Sequence, residues 1–199
     1  MQTLQPVMQT VQPGMQALPD LISARFLLLA APDGALPLLL EAAARLALRG
    51  EVRVFDCGNR FDAFQVARLI RRRSPRLAEA LECIQVSRAF TCYQVLALLA
   101  AAPASPAPVL AIDLLATFYD ESVSLAESCR LVEAAAAHLL RLRLAAPVLA
   151  GVRPPRPEQA ERGLLLEALA ARADQIFQPV EPPDRRRVQP ALFAAGRKE

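Results

Sequence analysis

Two apolar runs end in aspartate: Val52-Arg-Val-Phe-Asp56 and Val109-Leu-Ala-Ile-Asp113. A carboxylate at the end of a buried strand is a magnesium-holding group. Nearby arginines such as Arg60 and Arg88 are the type that stabilises charge on a transferring phosphoryl group. The lysine that such chemistry uses is missing, because the single lysine is Lys198, next to the C-terminus. Asp113 alone has little to hold magnesium against. The four cysteines, Cys57, Cys83, Cys92 and Cys129, show no Cys-x-x-Cys spacing, and His138 is the one histidine. That pattern argues against a structural zinc site or a disulfide framework and predicts reduced, mostly buried thiols. No metal and no cofactor is expected.

The elements that would position these residues alternate. Short apolar strands are predicted at 25–30, 52–55, 84–87, 109–112, 147–150 and 175–179. Helices are predicted at 36–49, 64–72, 76–81, 93–101, 125–144 and 157–171. Strand and amphipathic helix in alternation predict an α/β fold, a mainly parallel sheet with helices on both faces. A hydrophobic content of 54% in 199 residues suffices for one large core. The expected division is a flexible N-terminal arm over 1–22, a core domain over 23–180 and a flexible tail over 181–199. The arm carries a near-repeat, Met1-Gln-Thr-Leu-Gln-Pro6 then Met8-Gln-Thr-Val-Gln-Pro13, whose prolines forbid a continuous helix. The run 89–112 has no charge, but Pro103, Pro106 and Pro108 divide it into helix, loop and buried strand rather than a membrane span. With no signal-peptide pattern at the N-terminus, a cytoplasmic protein without a membrane partner is expected. A net charge of +3 does not announce nucleic acid.

Three segments in order carry a family resemblance: Glu51-Val-Arg-Val-Phe-Asp-Cys-Gly-Asn-Arg-Phe-Asp62, Gln85-Val-Ser-Arg-Ala-Phe-Thr-Cys-Tyr-Gln94 and Val109-Leu-Ala-Ile-Asp113. Together they resemble the RecA/RadA-like recombinase superfamily. The resemblance implies a RecA-like P-loop NTPase fold, with Asp113 ending the Walker B strand. The phosphate-loop pattern Gly-x-x-x-x-Gly-Lys-Ser/Thr then falls on Ala30-Ala-Pro-Asp-Gly-Ala-Leu-Pro37, around Gly34. Ala30 and Ala35 replace its glycines, Leu36 its lysine and Pro37 its hydroxyl residue. Pro37 also removes a backbone N–H from the helix start that receives phosphate. The family's catalytic glutamate falls on Gly58. The degenerate nucleotide site is therefore Ala30, Gly34, Ala35, Leu36, Pro37, Asp56, Gly58 and Asp113, and it is expected to be filled by apolar side chains. A noncatalytic chain follows.

Ligands of parallel sheets bind beyond the carboxyl ends of the strands. One loop there, Gly151-Val-Arg-Pro-Pro-Arg-Pro-Glu158, stands where the recombinases keep a DNA-contacting loop, which makes Arg153 and Arg156 the candidates for weak DNA contact. The cluster Arg71-Arg-Arg-Ser-Pro-Arg76 reads as a solvated helix end. In the tail, Gln189-Pro-Ala-Leu-Phe193 resembles the peptide by which bacterial repair and replication proteins bind the sliding clamp. Leu192 and Phe193 would fill an apolar pocket while Gln189 bonds its rim.

The resemblance implies an accessory protein in DNA recombination, repair or damage-tolerant synthesis that acts by binding a recombinase, a polymerase or the sliding clamp, in a hetero-oligomer. One alternative is a SulA-like cell-division inhibitor. Another is a subunit of a composite ATPase that contributes Arg60 or Arg88 in trans.

Overall fold

The structure, a computed structural model, describes residues 7–9, 25–33 and 35–177. Six parallel strands follow one another from Phe26: β2 (Phe26–Ala30), β3 (Val52–Asp56), β4 (Ile84–Arg88), β5 (Val109–Ile112), β6 (Val148–Val152) and β7 (Gln175–Phe177). A short strand β1 (Val7–Gln9), within the span read as an arm, adds in parallel to β7. The sheet order is β1-β7-β2-β6-β5-β3-β4. The chain is therefore α/β with a parallel sheet, as its strand and helix alternation predicts.

Side-chain alternation along the strands builds two cores. Leu27 and Leu29 of β2 face one side with Val52, Val54, Leu110 and Ile112, under α1 (Leu36–Ala47), α2 (Ala63–Arg71) and α3 (Leu77–Glu82). Phe26 and Leu28 face the other with Phe55, Val109, Ala111 and Val148. That side is covered by α4 (Cys92–Ala101), α5 (Leu125–Leu142) and α6 (Gly163–Ala170). Burial on both faces explains why β2, β5 and β6 read as continuous apolar runs.

Helix starts are marked by side-chain caps. Asp62 accepts from the Gln65 N–H at 2.9 Å, Thr91 from Gln94 at 3.2 Å and Ser124 from Glu127 at 3.3 Å. The expected helix over 157–171 is instead two pieces, a 3-10 turn at Pro157–Arg162 and then α6. The break follows from Arg162, which is buried and donates to the carbonyls of Phe118 at 2.8 Å and Val123 at 2.7 Å. The charge-free run 89–112 divides into α4, a proline loop and β5, and no helix among the described residues is long and apolar enough to cross a membrane.

Candidate functional site

All of the parallel strands point their carboxyl ends to one edge, so Asp56, Asp113 and the loops after β2 and β6 meet there. Asp56 ends β3 fully buried. It accepts from the backbone N–H groups of Arg60 at 2.8 Å and Phe61 at 3.1 Å, and from Arg88 Nε at 3.1 Å. Strand register pairs Asp56 with Arg88 directly. Three donors on one carboxylate make it the clip that folds the loop 57–61 back over the sheet.

Asp113 is built differently. It follows β5 with φ of 54°, a left-handed conformation that is uncommon for a residue with a side chain, and it is 1% exposed. Its Oδ2 stands 2.5 Å from Arg153 Nη2 and 3.8 Å from Arg60 Nη1. Neither carboxylate oxygen accepts an aligned hydrogen bond from the described residues, so the contact with Arg153 is one of charge and proximity. Arg60 also donates to the Asp33 carbonyl at 2.7 Å, which draws the loop after β2 into the same cluster. On the loop after β6, the Arg153 carbonyl accepts from the Tyr119 hydroxyl at 2.9 Å. Gln159 in turn donates to the Tyr119 carbonyl at 3.0 Å.

The fit of a nucleotide and its metal can be tested on this geometry. In the loop after β2, Asp33 Oδ1 takes the Ala35 N–H at 2.8 Å. Ala35 itself is left-handed at φ 52°, and Pro37 lies in the first turn of α1. The chain thus supplies its own carboxylate where a helix start would receive phosphate. Leu36 offers no charge. At Gly58, a Cβ would stand 2.6 Å from both Cβ and Oδ2 of Asp113, so no side chain, least of all a glutamate, fits there without displacement. Over Asp113 the cation is Arg153. These residues do not fit magnesium-nucleotide binding. Apolar filling holds only in part: Ala35 is buried in the core under α1, whereas Asp113 is covered by guanidinium groups.

The arginines expected to act outward are engaged inward. Arg60 and Arg88, read as arginines for a partner's site, bind Asp33 and Asp56 of their own chain. Arg153, read as a DNA contact, is held by Asp113. Arg156 is exposed and lines an open cleft of about 370 Å³ with Tyr119, Asp120, Arg153 and Gln159. Arg73, within the cluster read as a solvated helix end, pairs with the buried Glu41. Gly34, Gln189, Leu192 and Phe193 lie outside the described residues.

Several groups were missed. Tyr119 sits on a 3-10 turn (Ala116–Tyr119) that no periodicity signals. Burial, and secondarily the Asp113 charge, push its hydroxyl well above the usual range, while Arg153 opposes the shift. Burial, with Asp56 and Asp113 adding to it, raises the Cys57 thiol far above an ordinary thiol. All four cysteines are free, Cys57 and Cys92 buried, Cys83 and Cys129 partly so. His138 is half-buried on α5. Among the described residues no group of three or more His, Cys, Asp or Glu is placed to hold a metal.

No protein-family model matches the chain, and a search of the curated proteins finds no match either.

Proposed function

We propose that the chain is a noncatalytic RecA-like accessory protein in DNA recombination, repair or damage-tolerant synthesis that works by binding other proteins. The observation that carries this reading is the carboxyl edge of the sheet. The parallel strands bring Asp56, Asp113 and the loop after β2 to one edge, and there the Ala35 N–H is taken by Asp33, Asp113 is met by Arg153 and Asp56 by Arg88 and two backbone N–H groups. An edge that satisfies its own charges supports binding in place of catalysis.

A surface for binding lies at the other side of the sheet from β1. Among the described residues strand β4 ends the sheet; Val86 on it and Phe90 and Tyr93 just after it are 40%, 65% and 52% exposed, and Phe64 at the start of α2 is 85% exposed. An outer strand with unpaired backbone groups and exposed aromatic side chains suits addition of a partner. The composite-ATPase reading is weakened by the engagement of Arg60 and Arg88 within their own chain.

The test is binding of the purified protein to the sliding clamp of its own organism, comparing the wild type with Leu192→Ala/Phe193→Ala. Binding that the double substitution abolishes is expected. If neither protein binds the clamp, and neither binds the organism's recombinase or polymerase, the accessory reading fails. Binding to a tubulin-like division filament would then favour the SulA-like alternative.

A further inference from the structure

A buried carboxylate with no hydrogen-bond donor is costly unless a cation neutralises it. Asp113 is such a group: 1% exposed, left-handed, and with neither oxygen bonded by an N–H or O–H of the described residues. Here the nearest positive atom is Arg153 Nη2 at 2.5 Å, with Arg60 Nη1 behind it at 3.8 Å. Arg153 comes from the loop after β6 and Arg60 from the loop after β3. Arg60 also holds the Asp33 carbonyl of the loop after β2. One carboxylate thereby ties three loops together.

We propose that Arg153 is the resident cation of Asp113, a built-in counter-ion that holds the loops of the carboxyl edge in their binding-ready arrangement without metal or nucleotide. The inference rests on reading this edge as a degenerate nucleotide site, and it adds how that site is regulated: it is constitutively closed rather than gated by ligand. The loop 153–159 is held at both ends of its first residue, by the Arg153 side chain on Asp113 and by the Tyr119 hydroxyl on the Arg153 carbonyl. Arg156 is carried on that loop, so the lock also fixes the position of this exposed arginine of the cleft wall. Removing Arg153 leaves the buried charge with only the more distant Arg60, whereas replacing both partners leaves no carboxylate charge to compensate.

The experiment is a double-mutant cycle on the full chain, read by thermal unfolding and by hydrogen exchange in the loop after β6. Arg153→Ala is expected to lower Tm by roughly 5 °C or more and to speed exchange in that loop. Asp113→Asn/Arg153→Ala is expected to recover at least half of the lost Tm, because the coupled pair is non-additive. Arg156→Ala, on the same loop, should leave Tm within about 1–2 °C. If Arg153→Ala yields no folded protein, recovery of folded protein in the double variant supports the lock, and failure of that recovery overturns it. An Arg153→Ala protein as stable as the wild type overturns it, as does a double variant that loses the sum of the single losses. A rise in wild-type Tm on adding magnesium-ATP or magnesium-ADP overturns it too, because a ligand would then have displaced Arg153. The cycle reads the edge and not the partner. Failure of clamp and recombinase binding would sink the accessory function and leave the lock standing, and the reverse holds equally.

Discussion

Gly58 lies directly against Asp113: a Cβ at position 58 would come 2.6 Å from Asp113 Cβ and Oδ2 and 3.0 Å from its Cγ. The position is one that real side-chain carbons do not share, so Gly58 is required by space. Gly58→Ala is expected to destabilise by about 1–3 kcal/mol, the usual cost of overpacking a closed site. Chemical denaturation of the two proteins measures it. Gly58→Glu, which places there the catalytic glutamate of the recombinases that the sequence resembles, is expected to destabilise further and to bring no ATP hydrolysis. A stable Gly58→Glu protein with measurable turnover would contradict both the crowding and the noncatalytic reading.

Asp56 bears three donors while fully buried. Asp56→Ala removes the acceptor for two backbone N–H groups and the counter-charge of Arg88, an expected loss of about 3 kcal/mol. Arg88 is about half exposed in its side chain, so Arg88→Ala should cost under about 1 kcal/mol. Denaturant midpoints of the two variants check the asymmetry. Equal losses would mean that the ion pair, and not the clipped backbone, carries the stability.

The inner strands β2, β5 and β6 were legible because each is a short apolar run between turn residues, and burial on both faces leaves such runs uninterrupted. β5 was placed at 109–112, as the structure has it, and β2, β3, β4 and β6 within about two residues. The two aspartates were legible as well, since a charge ending an apolar run must sit at a strand end. What each aspartate meets was not. Arg153 reaches Asp113 from 40 positions along the chain, and the meeting depends on strand order, with β6 beside β5. Local pattern gives the ends of strands but not which ends adjoin. The 3-10 turn at Ala116–Tyr119 was invisible for a different reason: four residues hold too little periodicity to identify. The division of 157–171 escaped because it is imposed by Arg162 from the side, through carbonyls more than thirty residues away.

Alkaline pH should unfold the protein early. Cys57 and Tyr119 are both raised above their ordinary values, chiefly by burial. In the unfolded chain they ionise near about 8.5 and 10. Folding keeps both protonated, so their contribution is fully present below those values. It is lost as pH rises beyond them, because the unfolded chain then releases protons that the native state retains. Tm is expected to be level from about pH 7 to 8 and to fall with increasing slope above about 8.5. The Cys92 thiol is raised by burial as well, so Cys57→Ala removes one of three such titrations and should flatten the first part of that fall. A Cys57→Ala profile as steep as the wild type's in that interval would show that another group governs it.

The aromatic side of the sheet should separate association from stability. Val86 projects from the outermost strand, and Phe90 and Tyr93 follow it into the first turn of α4. By strand alternation Val86 shares the face of Ile84, the side of α2 where Phe64 lies in the first turn, whereas Phe90 and Tyr93 stand at the start of α4 on the other side. Each is at least 40% exposed, so little core packing is lost when they are replaced. Val86→Lys/Phe90→Ser is expected to leave Tm within about 2 °C, as surface substitutions do. A charged residue in an outer strand opposes the addition of a further strand. The same double variant is therefore expected to weaken binding to the organism's recombinase at least about tenfold, a difference of about 1.4 kcal/mol. Surface plasmon resonance on both proteins, with Leu192→Ala/Phe193→Ala alongside, reads this directly. The tail variant should keep recombinase binding while losing the clamp if, as proposed, the two partners meet different parts of the chain. Unchanged recombinase binding in Val86→Lys/Phe90→Ser would remove the β4 edge as the docking surface.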